Sequence, residues 1–303
     1  MTTPRLGELA RPTLTSSGVD RRFGAALIAL GVGLAVNSVL GPFGLGIVDY
    51  PLSETLYNQT IGLDAVSLLL VAPISAVMGV LAGRGHRVAP YVGVAIGAYT
   101  AYMFVQYIVG PSYLEYPRVL PLQHGLFIIG WVVAAQGWII GRNQALPRLA
   151  GSARWHAVAL FAFAAFVIVR YAPAFSGVVG GAPIPTDAVE DPAMFWTIVL
   201  MDLGIFVPLA LAAGVALRRG RTWAQGALYA AAGWFLLVTT AVTAMAVTML
   251  VNDDPHAAPA QVVMFAVTEL VVIAYVTRLY RPLSRRGGDQ RVVSDPLTRA
   301  ARP

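Results

Sequence analysis

The chain has 303 residues, 57% of them hydrophobic and only 12% charged, with a mean hydropathy of +0.68. A soluble domain carries roughly 25% charged residues, so this composition excludes one and indicates a single polytopic membrane domain. The net charge of +6 is carried by arginine without lysine or cysteine, which excludes disulfides, thiolate metal sites, palmitoylation and a lysine Schiff base to retinal or pyridoxal phosphate.

Apolar runs of about 20 residues match the bilayer core and predict eight spans. They are Phe23–Phe43, Leu63–Gly83, Pro90–Gly110, His124–Gly141, Trp155–Arg170, Met194–Leu217, Trp223–Leu250 and Gln261–Tyr280. The expected fold class is an all-α membrane protein with eight transmembrane helices. The expected organisation is a cytoplasmic tail over 1–22, a transmembrane domain over 23–280 and a basic, disordered tail over 281–303. The first run is full length and lacks a small-residue cleavage site, so it reads as a span and not as a signal peptide.

Arginine sets the orientation. The N-terminal tail, every second connection and the C-terminal tail hold 19 of the 21 arginines. The opposite connections hold only Arg118, and Arg170 sits at a span end. The positive-inside rule then places both termini in the cytoplasm. The abundance of arginine, alanine and glycine fits a bacterial chain, so the expected location is the plasma (inner) membrane. The basic clusters are topology signals and not a nucleic-acid footprint. The C-terminal arginines are expected to meet anionic lipid headgroups.

The acids fall in the outer connections, at Asp49, Glu54, Glu115, Asp187, Glu190, Asp191, Asp253 and Asp254. The longest connection, Tyr171 to Ala193, is rich in glycine and proline and is expected to be irregular. Asn58-Gln59-Thr60 matches a glycosylation acceptor, which carries little meaning in a bacterial chain.

Three charges interrupt the apolar runs. Asp202 lies inside span six, Glu269 inside span eight, and Arg170 closes span five. An ionised group at mid-membrane costs roughly 2.5–3.5 kcal/mol on insertion scales, so it faces the bundle interior and finds a partner. Placed by depth, Asn37, Asp64, Gln106 and His124 gather in the same outer half as these three. That predicts a cavity open to the outside, ending near Asp202 and Glu269, with Arg170 as counter-charge. Tyr99, Tyr102 and Gln106 share a helix face, a spacing more often used for packing than for a ligand wall. Thr239 and Thr243 are expected to bond back to their own helix. Gly93-x-x-x-Gly97 and Gly137-x-x-x-Gly141 allow close helix approach.

Two stretches align without a gap: PISAVMGVLAGRGHR from Pro73 and PLALAAGVALRRGRT from Pro208. Pro73 and Pro208, Gly79 and Gly214, Arg84 and Arg219, and Gly85 and Gly220 share one offset. This suggests a parallel four-plus-four duplication about an axis along the membrane normal, with a site at the interface of the halves. The run MDLGIFVPLALAAGVALRRGRTWAQGALY resembles segments of an uncharacterised family of bacterial multi-pass integral membrane proteins. The resemblance covers spans six and seven and implies no activity and no site residues.

The four histidines show no paired spacing for haem. Asp253, Asp254 and His256 in NDDPH read as a capped loop before a metal site, and no catalytic motif stands in a fitting context. No cofactor is expected. Three functional readings remain. The first is a transporter-like or ligand-binding protein taking a small solute or ion. The second is a non-catalytic accessory or sensor subunit. The third is an enzyme acting on a lipid or isoprenoid through His124, Asp202 or Glu269.

Overall fold

The computed structural model describes residues 16–284 other than 49, 116, 150 and 182. Asp49 and the tails at 1–15 and 285–303 lie outside the described residues. Among those described there are helices and no strands. Eight helices are long and apolar enough to cross a membrane.

The first half contains α1 (Ser16–Leu40), α2 (Glu54–Val66), a π-helical turn (Ser67–Val71), α3 (Ala72–Gly83), α4 (Ala89–Val109) and α5 (Leu120–Gly141). The second contains α6 (Ala153–Arg170), α7 (Ala172–Gly180), the short α8 (Thr186–Glu190), α9 (Pro192–Met201), a second π-helical turn (Asp202–Phe206), α10 (Val207–Arg218), α11 (Ala224–Val251) and α12 (Pro259–Ser284). Spans two and six each join two α-helices through their π turn, and α6 with α7 forms span five. An even number of crossings returns the chain to the side where it began.

Two boundaries differ from the sequence reading. Span two begins at Glu54, well before Leu63, because Asn58, Gln59 and Thr60 lower the local hydropathy while sitting inside the helix. Asn58 and Thr60 are buried, and Thr60 bonds the Leu56 carbonyl at 2.9 Å. Asn58 is therefore a packing residue and not an exposed glycosylation acceptor. The connection after Arg170 is also not irregular. Pro173 stands in the first turn of α7, where its missing N–H costs nothing, and Gly181 ends that helix in the left-handed conformation at φ 71°.

The halves repeat one another at a single offset. Both π turns, Ser67–Val71 and Asp202–Phe206, fall in register, as do α3 with α10 and the starts of α4 and α11. The turns after α3 and α10 also match. Gly85 and Gly220 both take positive φ, at 69° and 63°. His86 and Arg221 each donate their backbone N–H back into the preceding helix, to Leu81 and Ala216. Each π turn is followed after one residue by a proline, Pro73 or Pro208, in the first turn of the next α-helix. A proline cannot donate to the preceding turn, and an inserted residue relieves the resulting misfit.

Packing follows the same symmetry. α1 packs on α3 as α6 packs on α10, and α4 on α5 as α11 on α12. α2 crosses over to α11 as α9 crosses to α4, while α4 and α11 pack on each other at the centre. Small residues set the closest approaches. A Cβ at Gly97 of α4 would lie 2.5 Å from the Gly130 carbonyl oxygen and 2.7 Å from the Ala134 nitrogen of α5. The main core gathers Leu27, Leu30, Ile96, Tyr99, Phe104, Leu126 and Val133. Apolar side chains such as Val263, Val267, Leu270 and Val271 of α12 remain exposed, as lipid-facing residues do.

Candidate functional site

The symmetry breaks where α6 and α12 part. In the first half α1 packs along α5. In the second, His156 Nδ1 meets Tyr275 OH at 2.9 Å near the arginine-rich end of the bundle. His156 is buried there. Toward the arginine-poor end the helices enclose a chamber of about 200 Å³. Phe166, Val167 and Arg170 line it from α6, Met264, Phe265 and Thr268 from α12, and Gln59 and Leu63 from α2.

Asp202 stands in the chamber wall, 8% exposed, as the first residue of the second π turn. Tyr102 OH of α4 donates to its Oδ1 at 3.0 Å, and Tyr171 OH donates to its Oδ2 at 2.6 Å. Each carboxylate oxygen thus holds one phenolic proton. Two such hydrogen bonds hold the carboxyl in place. Arg170 also lines the chamber, its guanidinium 5.4 Å from the Tyr171 ring centre, and makes no ion pair among the described residues.

Tyr99, Tyr102 and Gln106 all line the chamber. The spacing read as packing is therefore a cavity wall. Thr239 and Thr243 bond back to their own helix, Thr243 Oγ1 reaching the Thr239 carbonyl at 2.8 Å, yet both also face the chamber.

The other sequence candidates are elsewhere. Glu269 does not line the chamber; Thr240 donates to its Oε1 at 2.5 Å. Asp64 and Asn37 are buried on the first-half side, where Ser38 Oγ donates to Asp64 Oδ1 at 3.4 Å. His124 is exposed and turns back on its own helix, with Nδ1 2.9 Å from the Leu120 carbonyl. The expected triad divides: Arg170 and Asp202 share the chamber, and Glu269 is held separately. Sequence reasoning missed Tyr171 and Tyr102 as partners of Asp202. Tyr171 follows Arg170 directly, but only the path of span five shows that it faces span six.

Beneath the chamber, toward the arginine-rich end, lies a second cavity of about 490 Å³ with a nearly apolar wall. Phe163, Phe206, Trp234 and Phe235 line both. Phe206 and Trp234 stack with centroids 3.7 Å apart, and Phe163 meets Phe235 at 4.1 Å. These four rings form a septum between the two spaces.

Outside the spans, the connection from α11 to α12 is fastened to α2. Asp254 accepts hydrogen bonds from Asn58 Nδ2 at 2.9 Å, Thr55 Oγ1 at 3.1 Å and the His256 backbone N–H at 2.8 Å. NDDPH is thus a capped loop. Among the described residues no group of three His, Cys, Asp or Glu side chains is placed to hold a metal ion.

The chain is a multi-pass membrane protein with buried carboxylates, and comparison with protein-family models, curated proteins and solved structures finds no match for it.

Proposed function

We propose that the protein is a transporter-like or ligand-binding membrane protein whose chamber receives a small solute or ion at Asp202. The observation that carries this reading is the placement of that carboxylate. It is buried mid-span, at the irregular turn of its helix, in the wall of a chamber that also holds an arginine without an ion-pair partner among the described residues. Intramembrane ionisable residues facing a cavity mark substrate, ion or proton paths, and π turns recur at functional sites. Asp202 supplies the anionic contact, Tyr102 and Tyr171 orient it, and Arg170 supplies a counter-charge or an anion contact. Arginine placement by the positive-inside rule puts the chamber in the half of the bundle away from the cytoplasm. The aromatic septum closes its floor. Transporter sites of this kind sit near the membrane midplane between structural repeats.

The enzyme reading loses support because no histidine lines the chamber. The accessory reading draws on the same geometry, since two tyrosines satisfy Asp202 without any ligand. Asp202→Asn separates it from the first. Trp234, in the chamber floor, gives the readout. Fluorescence of protein in lipid nanodiscs should change across a pH series in wild type, and Asp202→Asn should flatten that response. Asp202, Arg170, Tyr102 and Tyr171 are the titratable groups at this end of the chamber. An unchanged pH profile in Asp202→Asn, with only a lower unfolding temperature, would leave the carboxylate a packing group.

A further inference from the structure

A second polar cluster lies on the first-half side of the bundle. Asp64 of α2 is 1% exposed. Around it stand Asn37 and Ser38 of α1, Tyr50 of the following loop, Tyr99 and Tyr107 of α4, and Gln123 of α5. Gln123 Nε2 donates to Tyr50 OH at 2.8 Å, and the Tyr50 and Tyr107 rings stack at 4.9 Å. All of these side chains are at least nine-tenths buried.

Five oxygens in this cluster have no hydrogen-bond partner among the described residues: Asn37 Oδ1, Asp64 Oδ2, Tyr99 OH, Tyr107 OH and Gln123 Oε1. Asn37 lies by Tyr50, Ser67 by Tyr99 and the Phe43 backbone N–H by Asp64, but these contacts do not complete the hydrogen bonding of the five oxygens. Buried polar atoms are costly to leave unpaired, so the cluster has room in its chemistry for an occupant. The set has a definite chemistry. One atom belongs to a carboxylate, two to amide carbonyls and two to phenols. No arginine or histidine bonds or pairs with Asp64 among the described residues. The cluster thus holds one uncompensated acid among hard oxygen acceptors.

We infer that this cluster binds a small monovalent cation of the sodium class, with Asp64, Asn37 and Gln123 as its ligands and the tyrosine hydroxyls completing the shell. One carboxylate matches one positive charge. A divalent ion would leave the buried site with net charge and ordinarily recruits more carboxylates. Soft metals prefer nitrogen or sulfur, which this set does not offer. A proton on Asp64 would neutralise the acid but would leave the Gln123 carbonyl unsatisfied. Cation binding satisfies the acceptors together. The site is separate from the Asp202 chamber but adjoins it. Leu63 and the Tyr99 ring line the chamber, while Asp64 lies on the far side toward Ser38.

The test is thermal unfolding of the full chain in lipid nanodiscs, at fixed pH and ionic strength, in sodium, potassium or choline chloride. A ligand that binds only the folded state raises its midpoint. We expect a rise of several degrees in sodium chloride over choline chloride. Asp64→Asn should abolish it, and Asp202→Asn should keep it. If Asp64→Asn does not fold, Gln123→Ala, which keeps the acid, should reduce the rise. Equal wild-type midpoints in all three salts overturn the proposal, as does a sodium-specific rise that survives both variants. Neither result bears on the pH titration assigned to Asp202.

Discussion

Gly97→Val is expected to remove most of the folded protein from a membrane extract. The new side chain would begin 2.5 Å from one backbone oxygen and 2.7 Å from one backbone nitrogen of α5. Overpacking a core usually costs about 1–3 kcal/mol, because nearby side chains can rotate away. Backbone atoms cannot, so α4 and α5 must separate along their whole contact, and we expect about 3 kcal/mol or more. The crossing also sets the position of Tyr99, Tyr102 and Gln106, so the chamber wall shifts with it. The check is the unfolding midpoint of purified protein beside Gly125→Ala. A Cβ at Gly125 meets nothing within 4 Å, and alanine is the better helix former, so that control should match or exceed wild type. A Gly97→Val protein melting at the wild-type temperature would refute this account of the crossing.

Asp254→Ala is expected to be the most damaging change outside the spans. It strands the Asn58 amide and the His256 N–H, which now converge with the Thr55 hydroxyl on one buried carboxylate, and leaves Thr55 only the His256 ring nitrogen at 3.0 Å. Unpaired buried donors cost about 1–3 kcal/mol each where water cannot reach them. The loop can open partly to solvent, so we expect about 3 kcal/mol in total. The pH dependence has a definite sign. Burial pushes the Asp254 carboxyl up, but the bonds from Asn58, His256 N–H and Thr55 together outweigh it and hold the acid below its ordinary value. A depressed folded value means that the stabilisation is complete above the unfolded value of about 3.9. It is lost as pH falls through the lower folded value. Wild type should therefore lose stability on strong acidification, and Asp254→Ala should lack that component. Chemical unfolding at neutral pH and below pH ~4 measures both effects; a variant with the wild-type acid slope would contradict the assignment.

Much of the architecture was legible because a bilayer imposes a length and hydropathy requirement on each crossing. The eight runs and the in-register prolines were visible in the letters. Asp202 and Arg170 stood out because charge is rare in such runs. The start of span two was hidden because Asn58 and Thr60 spend their polarity inside the bundle, where a hydropathy average cannot follow. The helix through Pro173 was hidden because proline breaks a helix interior but suits a first turn. The partners of Asp202 were illegible for a deeper reason. Tyr102 lies on span three and Tyr171 at the end of span five, and nothing local fixes which spans meet. The π turn that begins at Asp202 changes which way the helix faces, and an α-helical periodicity cannot anticipate it.

The matched halves also bear on how this molecule can change and assemble. As separate chains, two four-span units meeting across α4 and α11 would be a symmetric dimer, and any mutation would appear on both sides of its axis. Here the segment after Gly141 tethers them, and a short tether holds its ends at an effective concentration of order millimolar. The contact between the halves is consumed within each molecule. Fusion also frees the copies to diverge. At the start of the same π turn one copy carries Ser67 and the other Asp202, an inequality that a homodimer could never encode.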